Sequence, residues 1–193
     1  MPDVLIVGTG PAGLTAAIYL GRYHRPPVLI DAGTSRARWI PTSHNMLGFP
    51  QGIGGQALLC QLRTHAEQYG ARIHRDSVEH LRRDGGGFEI HLSKEVVRSR
   101  YVVLATGIED HLPRLVGAEE AVRRGLLRIC PICDAYEATG RKIAVIGDGP
   151  RGEREAEFLK TYSSSVTLLH IGESHDPGVR ERMEARGIEL IET

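Results

Sequence analysis

The chain has no net charge: 24 Lys and Arg stand against 24 Asp and Glu. That balance removes the electrostatic pull toward nucleic acid or an anionic membrane. Basic residues come only in short pieces, such as Arg82-Arg83 and Arg123-Arg124, which read as solvated surface. No apolar stretch approaches the roughly 20 residues that a membrane-spanning helix needs. A strand pattern begins within three residues of Met1, which leaves no room for a leader segment. Cysteine is scarce, with 3 in 193 residues. A secreted disulfide framework is therefore excluded, and the cytoplasm is the expected location. Pro-rich linkers are absent, as are Gly-x-Ser-x-Gly, His-Glu-x-x-His and Gly-Lys-Thr patterns, so hydrolase and NTPase chemistry have no support. The 9 histidines are scattered without ligand spacing, and no metal is expected.

What the chain does have is one phosphate-binding signature written twice. The first copy runs from Val4 to Gly13 and contains Gly8, Gly10, Pro11, Ala12 and Gly13. The second, 139 residues later, runs from Ile143 to Gly152 and contains Gly147, Gly149, Pro150 and Gly152. Each copy follows a short apolar run and precedes a helical pattern, the context in which G-x-G-x-x-G carries meaning. The first glycine permits the tight turn, the second lets a pyrophosphate approach, and the third lets helix and strand pack. A tight strand-to-helix turn without a ligand remains the bland alternative at both copies.

Short apolar runs at Val4–Val7, Val28–Ile30, Tyr101–Ala105, Ile143–Ile146 and Val166–Leu169 look like strands buried on both faces, as in a parallel sheet with helices packed over it. Helices are predicted over Pro11–Tyr23 and Gly55–Tyr69, the latter with Leu58, Leu62, Ala66 and Tyr69 on one face and Gly70 as C-cap. His65 is expected on or near the buried side of that helix, and Cys60, beside Leu58 and Leu59, reads as inert core, with either side of the helix open to it. Between Ile73 and Arg100 the β-type pieces flank Asp84-Gly85-Gly86-Gly87, a hairpin signal for an antiparallel meander inserted into the sheet. The fold class is therefore α/β: two Rossmann-like dinucleotide-binding domains with an antiparallel insertion. Residues 1–115 would form the first domain, and residues 116–193 the second.

The ends of the second strands differ. Asp31 follows the first, where a ribose hydroxyl pair needs an acceptor. His170 holds the matching place in the second copy, so a 2′-phosphate would not be repelled, which leans that site toward NADP. Ile171, Gly172 and Glu173 supply no arginine fork there.

Between the signatures lies Cys130-Pro131-Ile132-Cys133. Two cysteines are too few for structural zinc, and a C-x-x-C near a βαβ pattern reads as a dithiol that cycles with its disulfide. Two buried small residues are the alternative. At a helix start one thiolate would be stabilised, and Asp134 follows directly as a proton donor or acceptor.

Taken together, Gly8-x-Gly10-Pro11-Ala12-Gly13, His44-Asn45-Met46-Leu47-Gly48-Phe49-Pro50, Gly52-Ile53-x-Gly55, Ala105-Thr106-Gly107, Cys130 to Asp134 and Gly147-x-Gly149 resemble the low-molecular-weight thioredoxin reductases. The likeness covers nearly the whole chain. The Cys130–Glu137 segment and the His44–Pro50 segment look closer to the thioredoxin reductase-like flavoproteins and dithiol oxidases than to true thioredoxin reductases.

The resemblance implies FAD on Gly8–Gly13 with Asp31 at its ribose, Asn45 and Gly107 beside the flavin, and NADP at the second signature. It implies Cys133 as the sulfur nearer the flavin, Cys130 as the exchanging one and Asp134 as the acid. His44 beside that loop is a further candidate for flavin contact. A thioredoxin-like protein or a small dithiol or disulfide would be the substrate, and a homodimer the assembly. A dithiol oxidase that uses oxygen, and a noncatalytic or inactive shortened nucleotide-binding module, are the rival readings. Two departures from the family pattern stand out: no basic residues follow the second strand, and the chain stops at Thr193 without the expected return segment to the flavin domain. Both domains are therefore expected to be incomplete.

Overall fold

A four-residue strand that is apolar throughout, with side chains directed alternately to its two faces, organises the first unit of the molecule. In the computed structural model, which describes residues 2–171 and 178–192, β1 (Val4–Val7) leads into α1 (Pro11–Arg22) and then β2 (Val28–Ile30). After a 3-10 turn, α2 (Gly55–Gln68) leads into β3 (Arg72–His74). An antiparallel meander of β4 (Val78–Asp84), β5 (Gly87–Leu92) and β6 (Val96–Ser99) follows, and β7 (Tyr101–Leu104) returns to the centre. The parallel sheet has the order β3-β2-β1-β7. Val4 and Ile6 face Leu14, Ala17 and Ile18 of α1 and Ala66 of α2. Leu5, between them, faces Ile90 and Leu92 of the meander.

Both faces of β1 are thus covered, as the apolar run implied, but by different means. Helices cover one face and the second sheet covers the other. The meander can do this because Ile90 and Leu92 alternate with polar neighbours and put their apolar side on Leu5 and Ile30. Its tight turn passes through Gly85 and Gly86, both left-handed (φ 50° and 97°), with Asp84 paired to Gly87. Strand β3 was not anticipated, and β4 was implied only as the partner that the hairpin signal requires. They are short or polar, and pairing with β2 and β5 settles their state.

Opposite its apolar side, β5 carries a charged cluster. Glu89 is buried yet accepts from Arg82 Nε at 2.8 Å and from Arg98 Nη2 at 3.1 Å, with His91 Nε2 2.9 Å away. The Arg82 and Arg98 hydrogen bonds outweigh burial and hold its carboxyl down at about 2.

Helix α2 packs as expected through Leu58 and Ala66, and Arg22 on α1 donates to Tyr69 Oη at 2.9 Å. His65 departs from expectation. It is exposed rather than buried, its ring 5.5 Å from that of Tyr69 and tilted 48° to it.

The chain divides into two compact units: Met1–His111 with Val122–Gly125, and Leu112–Ala121 with Leu126–Thr193. The division falls within α3 (Ala118–Arg123). In the second unit α4 (Pro131–Asp134) is a single turn. Then follow β8 (Ile143–Gly147), α5 (Gly149–Leu159), β9 (Val166–His170), α6 (Val179–Ala185) and β10 (Glu189–Glu192). The parallel sheet β10-β9-β8 packs Val145, Leu168 and Leu190 against Ala156 of α5 and Met183 of α6. Its opposite face leaves Ala144 and Ile191 exposed, unlike the two-sided burial read from the apolar runs. Among the described residues no helix is long and apolar enough to cross a membrane.

Candidate nucleotide and dithiol sites

In the first unit the signature forms a tight passage from β1 into α1. Gly8 has φ 105° and donates its N–H to Ile30 O at 2.9 Å. A Cβ there would lie 2.3 Å from Ala105 O, and one on Gly13 would lie 2.1 Å from Gly8 O. These two glycines let the backbone of strand, helix and the Ala105-Thr106-Gly107 turn meet. Gly10 is the N-cap of α1. A Cβ on it would meet only Ser35 Oγ, at 3.4 Å. Pro11 follows with no N–H, no side chain caps the helix and no acid stands in its first turn. The donors of Ala12 and Gly13 therefore face a place suited to an anion.

Asp31 ends the neighbouring strand, and its surroundings were not legible in the sequence. Oδ1 accepts Gly33 N–H at 2.8 Å, while Oδ2 accepts Arg63 Nη2 at 2.9 Å and Arg75 Nη1 at 3.0 Å. Burial alone would raise this carboxyl. Hydrogen bonds from Thr9, Arg63 and Gly33, with the Arg75 charge, hold it instead at about 2. A cavity of about 250 Å³ opens beside it, lined by Asp31, Ser35, Arg38, Arg63 and Cys60 among others. Cys60 is thus exposed at a cavity rim, not the core residue expected. Its place between half-buried Leu59 and exposed Gln61 put it on the solvent-facing edge of α2. Arg63 lies beside Leu62 on the same helix, and that proximity to the apolar stripe was the one signal available for it.

Asn45 and His44 are both exposed, on a loop closed by mutual Ser43 and Ile53 backbone bonds of 2.8 and 2.9 Å. Ser43 Oγ donates to Asn45 Oδ1 at 2.8 Å. Gly107, with φ 70°, lies just beyond β7 and is exposed. Gly8, Asp31 and Gly107 all sit at the carboxyl ends of adjacent parallel strands.

In the second unit Cys130 and Cys133 are joined as a disulfide, with Cα atoms 5.3 Å apart. Cys130 is the N-cap of α4, and both cysteines are half-buried. The helix expected to stabilise a thiolate is only the turn Pro131–Asp134, so its dipole is small. Asp134 follows on that turn and faces Arg128 Nη1 at 3.6 Å.

The second signature packs in the same way, since a Cβ on Gly147 would lie 2.9 Å from Gly152 Cα. Its helix start differs. His170, buried at the end of β9, accepts the Gly149 N–H on Nε2 at 3.2 Å. The segment read for an arginine fork includes Gly172 and Glu173, which lie outside the described residues.

A family model described as pyridine nucleotide-disulphide oxidoreductase matches residues 2–192. The chain belongs to that family. Among curated members of this oxidoreductase family, NADPH-dependent thioredoxin reductase 3 of Arabidopsis thaliana is 35% identical over 175 residues, covering 86% of this chain and 33% of the plant protein. Thioredoxin reductase of Mycolicibacterium smegmatis is 33% identical over 171 residues, covering 87% of this chain and 54% of the relative. The chain spans about half the length of most such relatives. Among solved structures, HlmI superposes with a TM-score of 0.87 at 33% identity, covering 98% of this chain and 61% of its own. The thioredoxin reductase from Streptococcus pyogenes gives 0.89 at 24% identity, covering 100% of this chain and 64% of its own, and speaks to the fold alone.

Thioredoxin reductases use FAD and NADPH. The first unit fits a dinucleotide: Gly10 leaves the helix start open, and no acid or cap competes there.

Proposed function

We propose that this chain serves flavin-dependent dithiol–disulfide exchange, with residues 1–115 as the flavin side and 116–193 as the nicotinamide side. The observation that carries the reading is the Cys130–Cys133 bond in a chain that also presents an open glycine cradle. When bound, FAD would supply two-electron transfer between a nicotinamide nucleotide and the dithiol. Gly8, Gly10, Pro11, Ala12 and Gly13 would hold its pyrophosphate. Asp31 would meet the ribose by sharing oxygens now given to Arg63 and Arg75, and Asn45 and Gly107 would flank the ring system. Gly147, Gly149 and Gly152 would hold NADP, with His170 beside them.

The sulfur chemistry belongs to the chain's own residues. In the reducing direction Cys130 Sγ, as thiolate, attacks a substrate disulfide and displaces one substrate thiolate. Cys133 Sγ then attacks Cys130 Sγ, re-forming the internal bond and releasing the second substrate thiolate. Asp134 holds the proton passed to a leaving sulfur. The substrate class is a thioredoxin-like protein or a small disulfide, in the cytoplasm, with a homodimer as the assembly.

The test is reconstitution of the full chain with FAD. Retained flavin absorbance, NADPH-dependent reduction of a small aromatic disulfide and loss of that reduction in Cys133→Ser support the proposal. A chain that holds no flavin leaves the binding-module reading ahead. Thiol oxidation that consumes oxygen and ignores NADPH favours the dithiol oxidase.

A further inference from the structure

Between the meander and the outer strands of the parallel sheet, the first unit holds a cleft of about 330 Å³. Sheet register sets what lines it. Leu5, Val28 and Arg72 stand side by side across β1, β2 and β3, and Ile30 stands beside His74. Side chains alternate along each strand, and neighbours in register share a face. Arg72 and His74 therefore lie on the face that Leu5 and Ile30 turn toward the meander, while Ile73 between them packs on the helix side. Leu92, Glu95 and Val97 form the opposite wall.

Interior and rim differ in kind. Leu5, Ile30 and Leu92 are buried, and Val28 and Val97 are half-buried, so the interior is apolar. At the rim, Glu95 Oε1 lies 3.6 Å from His74 Nε2, and Asp76 Oδ2 lies 3.9 Å from the same nitrogen. Asp76 Oδ1 also accepts the Ser77 N–H at 2.7 Å and the Ser93 hydroxyl at 2.6 Å. Both acids are thus engaged. Arg72 is exposed, and its side chain has no hydrogen bond or ion pair among the described residues.

We propose that this cleft binds a small organic carboxylate with a compact apolar body, the body against Leu5, Ile30 and Leu92 and the carboxylate on Arg72. A free guanidinium offers the planar fork that a carboxylate matches. Glu95 and Asp76 nearby would repel a dianion, which selects a singly charged head. The volume lies at the lower end of the roughly 300–1,000 Å³ found for ligand pockets, too small for a dinucleotide. Neither the Gly8–Gly13 turn nor Asp31 lines the cleft, so its occupation does not depend on the flavin reading.

The probe is naphthoate, titrated into the full chain and followed by its fluorescence, with naphthalenemethanol and naphthylmethylamine as its neutral and cationic counterparts. Saturable binding is expected, tightest for the anion. Arg72→Gln should weaken naphthoate about three- to tenfold, the range of one net hydrogen bond, and leave the alcohol unchanged. Val97→Phe, which fills the cleft, should abolish naphthoate binding. Equal binding of the three probes, preference for the amine, or naphthoate affinity indifferent to Arg72→Gln overturns the proposal. Added FAD should not displace naphthoate; displacement would put the probe in the glycine cradle and overturn the proposal too.

A measurement on the unaltered protein covers the case in which a variant does not fold. In methyl spectra naphthoate should shift Leu5, Ile30 and Leu92 together and leave Leu168 and Leu190 of the second unit unmoved. Shifts confined to other methyls, or none at all, overturn the proposal.

Discussion

Arg63 of α2 donates to Asp31 Oδ2 at 2.9 Å, and this bond ties the helix to the carboxyl end of β2. Arg75, just beyond β3, reaches the same oxygen, so one buried carboxylate fastens three consecutive pieces of the first unit.

The pH dependence of stability follows from that carboxylate. Its folded value of about 2 lies below the ordinary 3.8. A depressed carboxylate contributes stability that is fully present above the unfolded value and lost as pH falls through the folded one. Asp31→Asn should therefore lower unfolding free energy at pH 7 by about 2 kcal/mol, and the deficit should shrink between pH 4 and 2. Urea unfolding of both proteins across that range is the check. A deficit that stays constant would place the role of Asp31 outside charge.

Glu89 makes the same kind of claim for the meander. Glu89→Gln should lower the melting temperature at neutral pH, because Arg82 and Arg98 lose their shared partner. The difference should close as pH drops from 4.5 toward 2, where the wild-type carboxyl also takes up a proton. Flavin affinity should not change, since the cluster sits on the meander face turned away from β1.

Gly13→Ala tests the cradle. A methyl 2.1 Å from Gly8 O must push α1 off β1. Stability should fall by about 1–3 kcal/mol, and bound flavin should be lost at concentrations that saturate the parent. Thr15→Ser, at an exposed place on the same helix, should leave both unchanged. Thermal melts and flavin absorbance read the pair.

Thiol counting tests the sulfur assignments. The oxidised chain should show one rapidly reactive thiol, the exposed Cys60, and three after reduction. Cys60→Ser should abolish the fast reaction in the oxidised protein. A fast reaction that survives that change would mean that the Cys130–Cys133 bond is not formed.

Much of this architecture was legible from runs of four or five residues. Val4–Val7 and Ile143–Ile146, each followed by glycines and a helical pattern, specified both βα units. Asp84 to Gly87 marked the hairpin, because few residues besides glycine turn through two left-handed positions in succession. The partners of Asp31 were not legible. Arg63 and Arg75 lie 32 and 44 residues away, and nothing in local spacing joins them. His170 was visible as a missing acid, but that its ring reaches Gly149 depends on how β8 and β9 register. Cys60 was misread because a helix presents a new face every residue or so. Two leucines before it did not carry it into the core.

The meander that covers Leu5 also bears on the order of folding. Tyr101 pairs with Val4 across almost a hundred residues, a closure too long to form early by chance encounter. β4, β5 and β6 join only their chain neighbours and can zip up first. Once they do, the loop separating β1 from β7 is effectively much shorter. Weakening the Gly85-Gly86 hairpin should accordingly slow assembly of the parallel sheet, even though neither glycine touches it.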